Sequence, residues 1–157
     1  MARSHQLTAT VKPISFREIL QAPNGVALMA EYAAECSLQE IGKIRPQETL
    51  YEAMERSGAF QCFGVFAGDV LAGFGCVLVY VVPHYGRKIA TVESLFVARA
   101  HRAWGAGSAL MREIEAHARR EGCVAVLYSA PAGGRLERLL KLSKSYRHSN
   151  TVFLRAL

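Results

Sequence analysis

At 157 residues, 51% of them hydrophobic and 20% charged, the chain is sized for one domain with a continuous core and is too apolar to stay disordered. No apolar run approaches the roughly 20 residues that span a bilayer, and Met1-Ala2-Arg3-Ser4-His5-Gln6 holds no apolar leader; no membrane partner and a cytoplasmic location are expected. The net charge of +6 is concentrated from His101 onward, where ten Lys/Arg face four Asp/Glu. That excess suits a polyanionic small ligand or a solvated basic face. Nucleic acid is disfavoured, because no aromatics interleave with the basic residues and no helix-turn-helix or zinc pattern occurs.

In chain order, Leu7 to Val11 reads as a strand closed by Pro13. Ser15-Phe16-Arg17-Glu18 has the form of a capping box, so a helix starts at Ser15. Pro23-Asn24-Gly25 interrupts it, with Asn24 as a cap for a continuation carrying Val26, Leu28, Met29, Tyr32 and Ala33. After a flexible connection from Ser37 to Arg45, Pro46 fits the first turn of a third helix. Its apolar face would hold Leu50, Tyr51 and Met54, with Gly58 just past its end.

Phe60 to Phe66 and Val70 to Val82 read as two strands of a hairpin turned at Ala67-Gly68-Asp69. Gly73 and Gly75 in the second suggest a bulge or a close backbone contact. Pro83-His84-Tyr85-Gly86 turns the chain into a third strand, Ile89 to Val97. A helix from Gly105 to Arg120 places Leu110, Met111, Ile114 and Ala118 on one face and stops at Gly122. Cys123 to Tyr128 then reads as a buried strand, parallel to the one ending at Val97 because a helix connects them. Gly133-Gly134 precedes a short helix with Leu136, Leu139 and Leu140 inward, and Thr151 to Leu154 closes the chain as a last strand. The whole, residues 1–157, reads as a single α+β domain: a mixed, mostly antiparallel sheet flanked by helices. The four cysteines contain no Cys-x-x-Cys pair and read as reduced thiols, with no metal site expected.

The chemistry is concentrated between Glu93 and Ser108. An apolar strand enters a turn whose glycines, Gly105 and Gly107, let the backbone approach a ligand. The first amides of the following helix have no partners within it and carry the positive end of its dipole, which suits a phosphate or pyrophosphate. Arg102, just upstream, can add a charge-assisted contact.

Arg102-Ala103-Trp104-Gly105-Ala106-Gly107 resembles the Arg/Gln-x-x-Gly-x-Gly/Ala signature of the GNAT superfamily of N-acetyltransferases. The element order around it is similar from Leu7 to Leu154. The resemblance implies acetyl-CoA, or another acyl-CoA, as donor. It implies pyrophosphate on the turn amides of Ala103, Trp104, Gly105, Ala106, Gly107 and Ser108. It also implies that the pantetheine pairs with Leu95, Phe96 and Val97 in the gap of a splayed parallel strand pair. An amide near Val97 would then stabilise the thioester oxyanion.

Deprotonating an amine needs a carboxylate or histidine. Glu93 is the candidate: strand alternation puts it on the face of Leu95 and Val97 and puts Ser94 on the other. The competing reading is a surface partner for Arg87 or Lys88. Relatives protonate the thiolate with a tyrosine in a Tyr-x-x-x-Gly-Phe pattern; here Lys141 stands in the tyrosine position and Tyr146 in the phenylalanine position. Tyr146 is therefore the acid candidate beside a core role, and Tyr128 is another. Alternatively water protonates the thiolate, or it leaves unaided. The reaction implied is direct acetyl transfer to the primary amine of a small molecule or peptide. A non-catalytic CoA-binding module and an enzyme for an RNA-linked amine are the alternatives. Two places suit Trp104, over the cofactor or at a subunit contact, and a homodimer is the assembly considered.

Overall fold

The computed structural model describes residues 9–157. Its order is β1 (Thr10–Ile14), α1 (Phe16–Gln21), α2 (Gly25–Cys36), α3 (Glu48–Arg56), β2 (Phe60–Ala67), β3 (Val70–Val82) and β4 (Arg87–Val97). A 3-10 turn (Arg99–Trp104), α4 (Ala106–Arg120), β5 (Val126–Tyr128) and α5 (Arg135–Leu142) complete it. The strands form one sheet in the order β1-β2-β3-β4-β5, antiparallel except for the parallel β4–β5 pair. Short turns dictate the antiparallel β2–β3–β4 run, β1 joins β2 across the three-helix connection, and β5 reaches β4 by way of the crossover helix α4.

Two cores lie on opposite faces of this sheet. On one, Leu110, Ile114 and Ala118 of α4 pack on Phe63, Val77 and Val92. Leu110 and Ile114 are fully buried, each stabilising the fold by about 1.5–3 kcal/mol. On the other, α1 and α2 pack through Phe16, Ile19 and Leu28 on Phe60, Phe74, Cys76 and Phe96, with Tyr51 and Met54 of α3 at the margin. The capping box forms as expected: Glu18 N–H donates to Ser15 Oγ at 3.2 Å and Ser15 N–H to the Glu18 carboxylate at 2.6 Å. Gly73 is required by close approach, since a Cβ there would strike the Phe96 carbonyl oxygen and lie 2.9 Å from Val97 Cα.

Several expectations need correction. Leu7 and Thr8 lie outside the described residues, and Pro13 sits inside β1 rather than closing it; an edge strand tolerates a residue without an N–H. Asn24 precedes α2 but does not cap it with its side chain, because its Nδ2 donates to the Leu71 carbonyl at 2.9 Å. Pro46 falls before α3, whose cap is Gln47, and Leu50 is exposed. The buried strand expected from Cys123 shortens to Val126–Tyr128 and is partly exposed, because no described strand covers its outer edge. Helix α5 forms but buries no residue, and Thr151–Leu154 is exposed, irregular chain rather than a strand.

Candidate active site

Strands β4 and β5 pair only from Ala90 to Val92. Beyond Val92, β4 runs on to Val97 with no described strand on that side, leaving a gap. Ala98 N–H donates to the Ala72 carbonyl on β3 at 2.9 Å. By strand alternation the N–H groups of Val97 and Leu95 therefore turn into the gap.

The turn after β4 is anchored from α2. Arg102 Nε donates to the Val97 carbonyl at 2.8 Å, and another of its nitrogens meets Glu35 at 2.7 Å. Arg99 also donates to Glu35 at 2.7 Å, and its backbone N–H donates to Glu31 at 2.8 Å. Hydrogen bonds from Arg102, then Arg99, hold the Glu35 carboxyl below its ordinary range. Arg102 is thus engaged within the protein, and Glu35, 67 residues away in sequence, is a part of the turn that local motif reading misses. Gly105, at φ 80°, reverses the chain into α4, and among the described residues no side chain caps the helix's first N–H groups. Ala103 and Ser108 are exposed beside them. Trp104 is half-buried against the α4-side core and lies edge-on to His101 at 5.7 Å, so much of its ring serves packing.

Two backbone features fit an acyl-CoA donor: unpaired strand N–H groups for an extended amide-bearing arm, and an uncapped helix start for a pyrophosphate. Gly107 gives a third sign. A Cβ there would meet only Val97 Cγ2, at 3.9 Å, so neighbouring side chains and strands leave room for one.

Glu93 departs from the expected geometry. Cys76 pairs with Ser94 and Val77 with Val92, so Glu93 is the extra residue of a β-bulge. The bulge breaks the alternation that would place Glu93 with Leu95 and Val97. Its carboxylate lies instead on the side of Ser94, towards α3: Ser94 Oγ donates to it at 2.8 Å and Tyr51 OH at 3.4 Å. Leu95 and Val97 face the α4 core, whereas Phe96 joins the opposite one.

Glu93 and Ser94 line a cavity of about 350 Å³ under the segment Ile44–Gln47, walled by Tyr32, Tyr51, Phe60 and Phe74. Tyr32 stands edge-on to Phe74 and Phe96 at 5.3 and 5.5 Å. Burial, then the Glu93 charge, pushes the phenols of Tyr32 and Tyr51 upward, keeping both protonated at neutral pH.

Tyr146 occupies a separate pocket, shared with Tyr128 and Glu115, and the two rings meet edge-on at 5.7 Å. Its hydroxyl donates to Glu115 at 2.6 Å, and that of Tyr128 donates to the same oxygen at 3.2 Å. Burial, followed by the Glu115 hydrogen bond, raises the Tyr146 phenol to about 12. Lys141, in the expected tyrosine position, pairs with Glu137 at 2.6 Å. Glu93 and Tyr146 are therefore not brought into one cavity.

A splayed parallel pair, a glycine turn opening a helix, and a carboxylate in an adjoining pocket define an acyl-CoA-dependent acyltransferase. Residues 25–141 match the model of the acetyltransferase (GNAT) family, and the chain belongs to that family of acetyl-CoA-dependent N-acetyltransferases. Among solved structures it is similar to an aminoglycoside acetyltransferase from an uncultured soil metagenomic sample, in complex with trehalose. That match has a TM-score of 0.72 and 14% identity, covering 95% of this chain and 96% of that one. It is also similar to a ribosomal-protein-alanine N-acetyltransferase from Brucella melitensis biovar Abortus 2308 (TM-score 0.69, 19% identity, covering 94% and 99%). A third is an aminoglycoside N-acetyltransferase in complex with CoA (TM-score 0.69, 12% identity, covering 94% and 93%). At these identities the matches show a shared fold. No curated protein matches the chain in sequence.

Proposed function

We propose that the chain transfers an acetyl group directly from acetyl-CoA to a primary amine in a ternary complex, with Glu93 as general base. The observation that carries this reading is the β4 bulge, which turns a carboxylate into a pocket beside the strand bearing the donor-facing N–H groups. Acetyl-CoA supplies the activated thioester. Leu95, Phe96 and Val97 present the strand that receives its arm, and Ala103 to Ser108 present the amides that receive its phosphates. Arg102 braces this turn through Val97 and Glu35. The Val97 N–H is aimed at the developing oxyanion, a type of contact worth roughly 10²–10³ in rate. Glu93 accepts the ammonium proton, directly or through water, and frees the lone pair for attack. Ser94 and Tyr51 hold its carboxylate in place.

Tyr146 is the proposed proton donor to the departing thiolate. Its phenol is protonated at neutral pH, and the role requires it to leave Glu115 and to reach the sulfur from its separate pocket. The exposed Leu139 and Leu142 of α5 support a homodimer as the assembled form, and sedimentation would test it. Free cysteines, two of them buried, fit a reducing, cytoplasmic setting.

Calorimetry and thermal shift should detect saturable acetyl-CoA binding; no heat and no shift at millimolar donor would remove the donor assignment. Given binding, Glu93→Gln should lower kcat by about 10²–10⁴ with little change in donor Kd. Wild-type turnover in that variant would remove Glu93 from the mechanism. Tyr146→Phe should lower kcat without weakening donor binding if the phenol serves the thiolate.

A further inference from the structure

The cavity beside Glu93 carries information on the acceptor. Among its described lining residues the only charged groups are Glu93 and, at the exposed rim, Arg45. The rest is dominated by aromatic, Met, Leu and Ile side chains from α1, α2, α3 and the sheet. The other carboxylates of α3 are already committed. Glu55 accepts the Phe16 N–H at 2.7 Å, and Arg17 pairs with both Glu48 and Glu52.

We propose that the acceptor is a monocationic primary amine carried on an aromatic or branched apolar body, with its ammonium at Glu93 and its body against Tyr32, Tyr51, Phe60 and Phe74. This inference rests on the acetyltransferase reading above and narrows its substrate class. One carboxylate neutralises one ammonium. A second cationic group would be buried among aromatic walls without a counter-ion, or would meet Arg45 at the rim. A polyhydroxylated body would likewise lose water without enough polar partners to replace it. An apolar body instead gains from burial, at about 0.8 kcal/mol per methylene. The same chemistry could come from a free arylalkylamine or from the α-amino group of a peptide beginning with a bulky apolar residue, entering under Ile44–Gln47.

The test is acceptor-dependent CoA release with acetyl-CoA over five amines: 2-phenylethylamine, 3-methylbutylamine, a phenylalanine-initiated peptide amide, spermidine and kanamycin. The expected result is a kcat/KM at least 100-fold higher for phenylethylamine or the phenylalanine peptide than for spermidine or kanamycin. Whichever of those two leads identifies the source. Lengthening a straight alkylamine should improve kcat/KM roughly three- to fourfold per methylene until the cavity is full. Leu50→Glu, an exposed wall position, should shift the preference at least tenfold towards spermidine. Turnover that favours spermidine or kanamycin would overturn the inference and leave the acetyltransferase reading intact. Donor binding without CoA release for any amine would overturn that reading and this inference with it.

Discussion

Glu93 shows how one extra residue in a strand redirects a side chain. Alternation on β4 assigns it to the face of Leu95 and Val97, and the bulge moves it to the face of Ser94. Its candidacy was legible, because a lone carboxylate on an apolar strand near a phosphate turn is conspicuous. Its direction was not, because a bulge is set by pairing with Cys76 and Val77 on another strand. Ser94→Ala removes the 2.8 Å donor to this carboxylate. It should lower kcat several-fold in a CoA-release assay while leaving acetyl-CoA Kd unchanged. Gly73 is the opposite case, flagged in the sequence and explained by the Phe96 carbonyl, which occupies the space a Cβ would need. Gly73→Ala should cost about 1–3 kcal/mol in chemical denaturation, since backbone rather than a flexible side chain must move.

Among the elements, α4 was the most legible: its buried residues follow a single helical period and its ends are set by glycines at 105 and 122. The brace on its leading turn was not legible, since Glu35 belongs to another helix. Glu35→Ala should weaken acetyl-CoA binding several-fold by calorimetry while barely changing Tm, because ion pairs this exposed contribute little to stability. His117 on α4 packs edge-on to Phe63 at 5.5 Å, and burial lowers its pKa. The unfolded chain then binds the proton more readily. This contribution to stability is present above the ordinary histidine value of about 6.5 and is lost as pH falls below it. His117→Gln should flatten the decline in stability between pH 7 and 5, measured by denaturant unfolding. For α5, periodicity revealed a helix but could not reveal that, among the described residues, its apolar side is left without full burial. Residues 147–157 are exposed throughout, so a chain ending at Tyr146 should keep its Tm within about 2 °C.

At the scale of the whole molecule, the proposed donor half of the site is built mainly from backbone and the proposed acceptor half from side chains. The elements of the donor half were readable because its glycine turn, flanking strand and helix are contiguous in sequence. The acceptor cavity draws on α1, α2, α3, β2, β3 and β4 at once, so no single stretch announces it. The gap beyond Val92 has a further consequence for the protein's life without donor. An unpaired strand edge is a template for another chain's backbone, and the same N–H groups are the ones proposed to receive the donor. On that proposal a donor-starved population would expose an adhesive edge that the bound donor would shield. Amide hydrogen exchange at Leu95 and Val97 should slow on adding acetyl-CoA, and the onset of light scattering on heating should rise with it. Metabolic supply of the donor would then govern the protein's shelf life as well as its turnover.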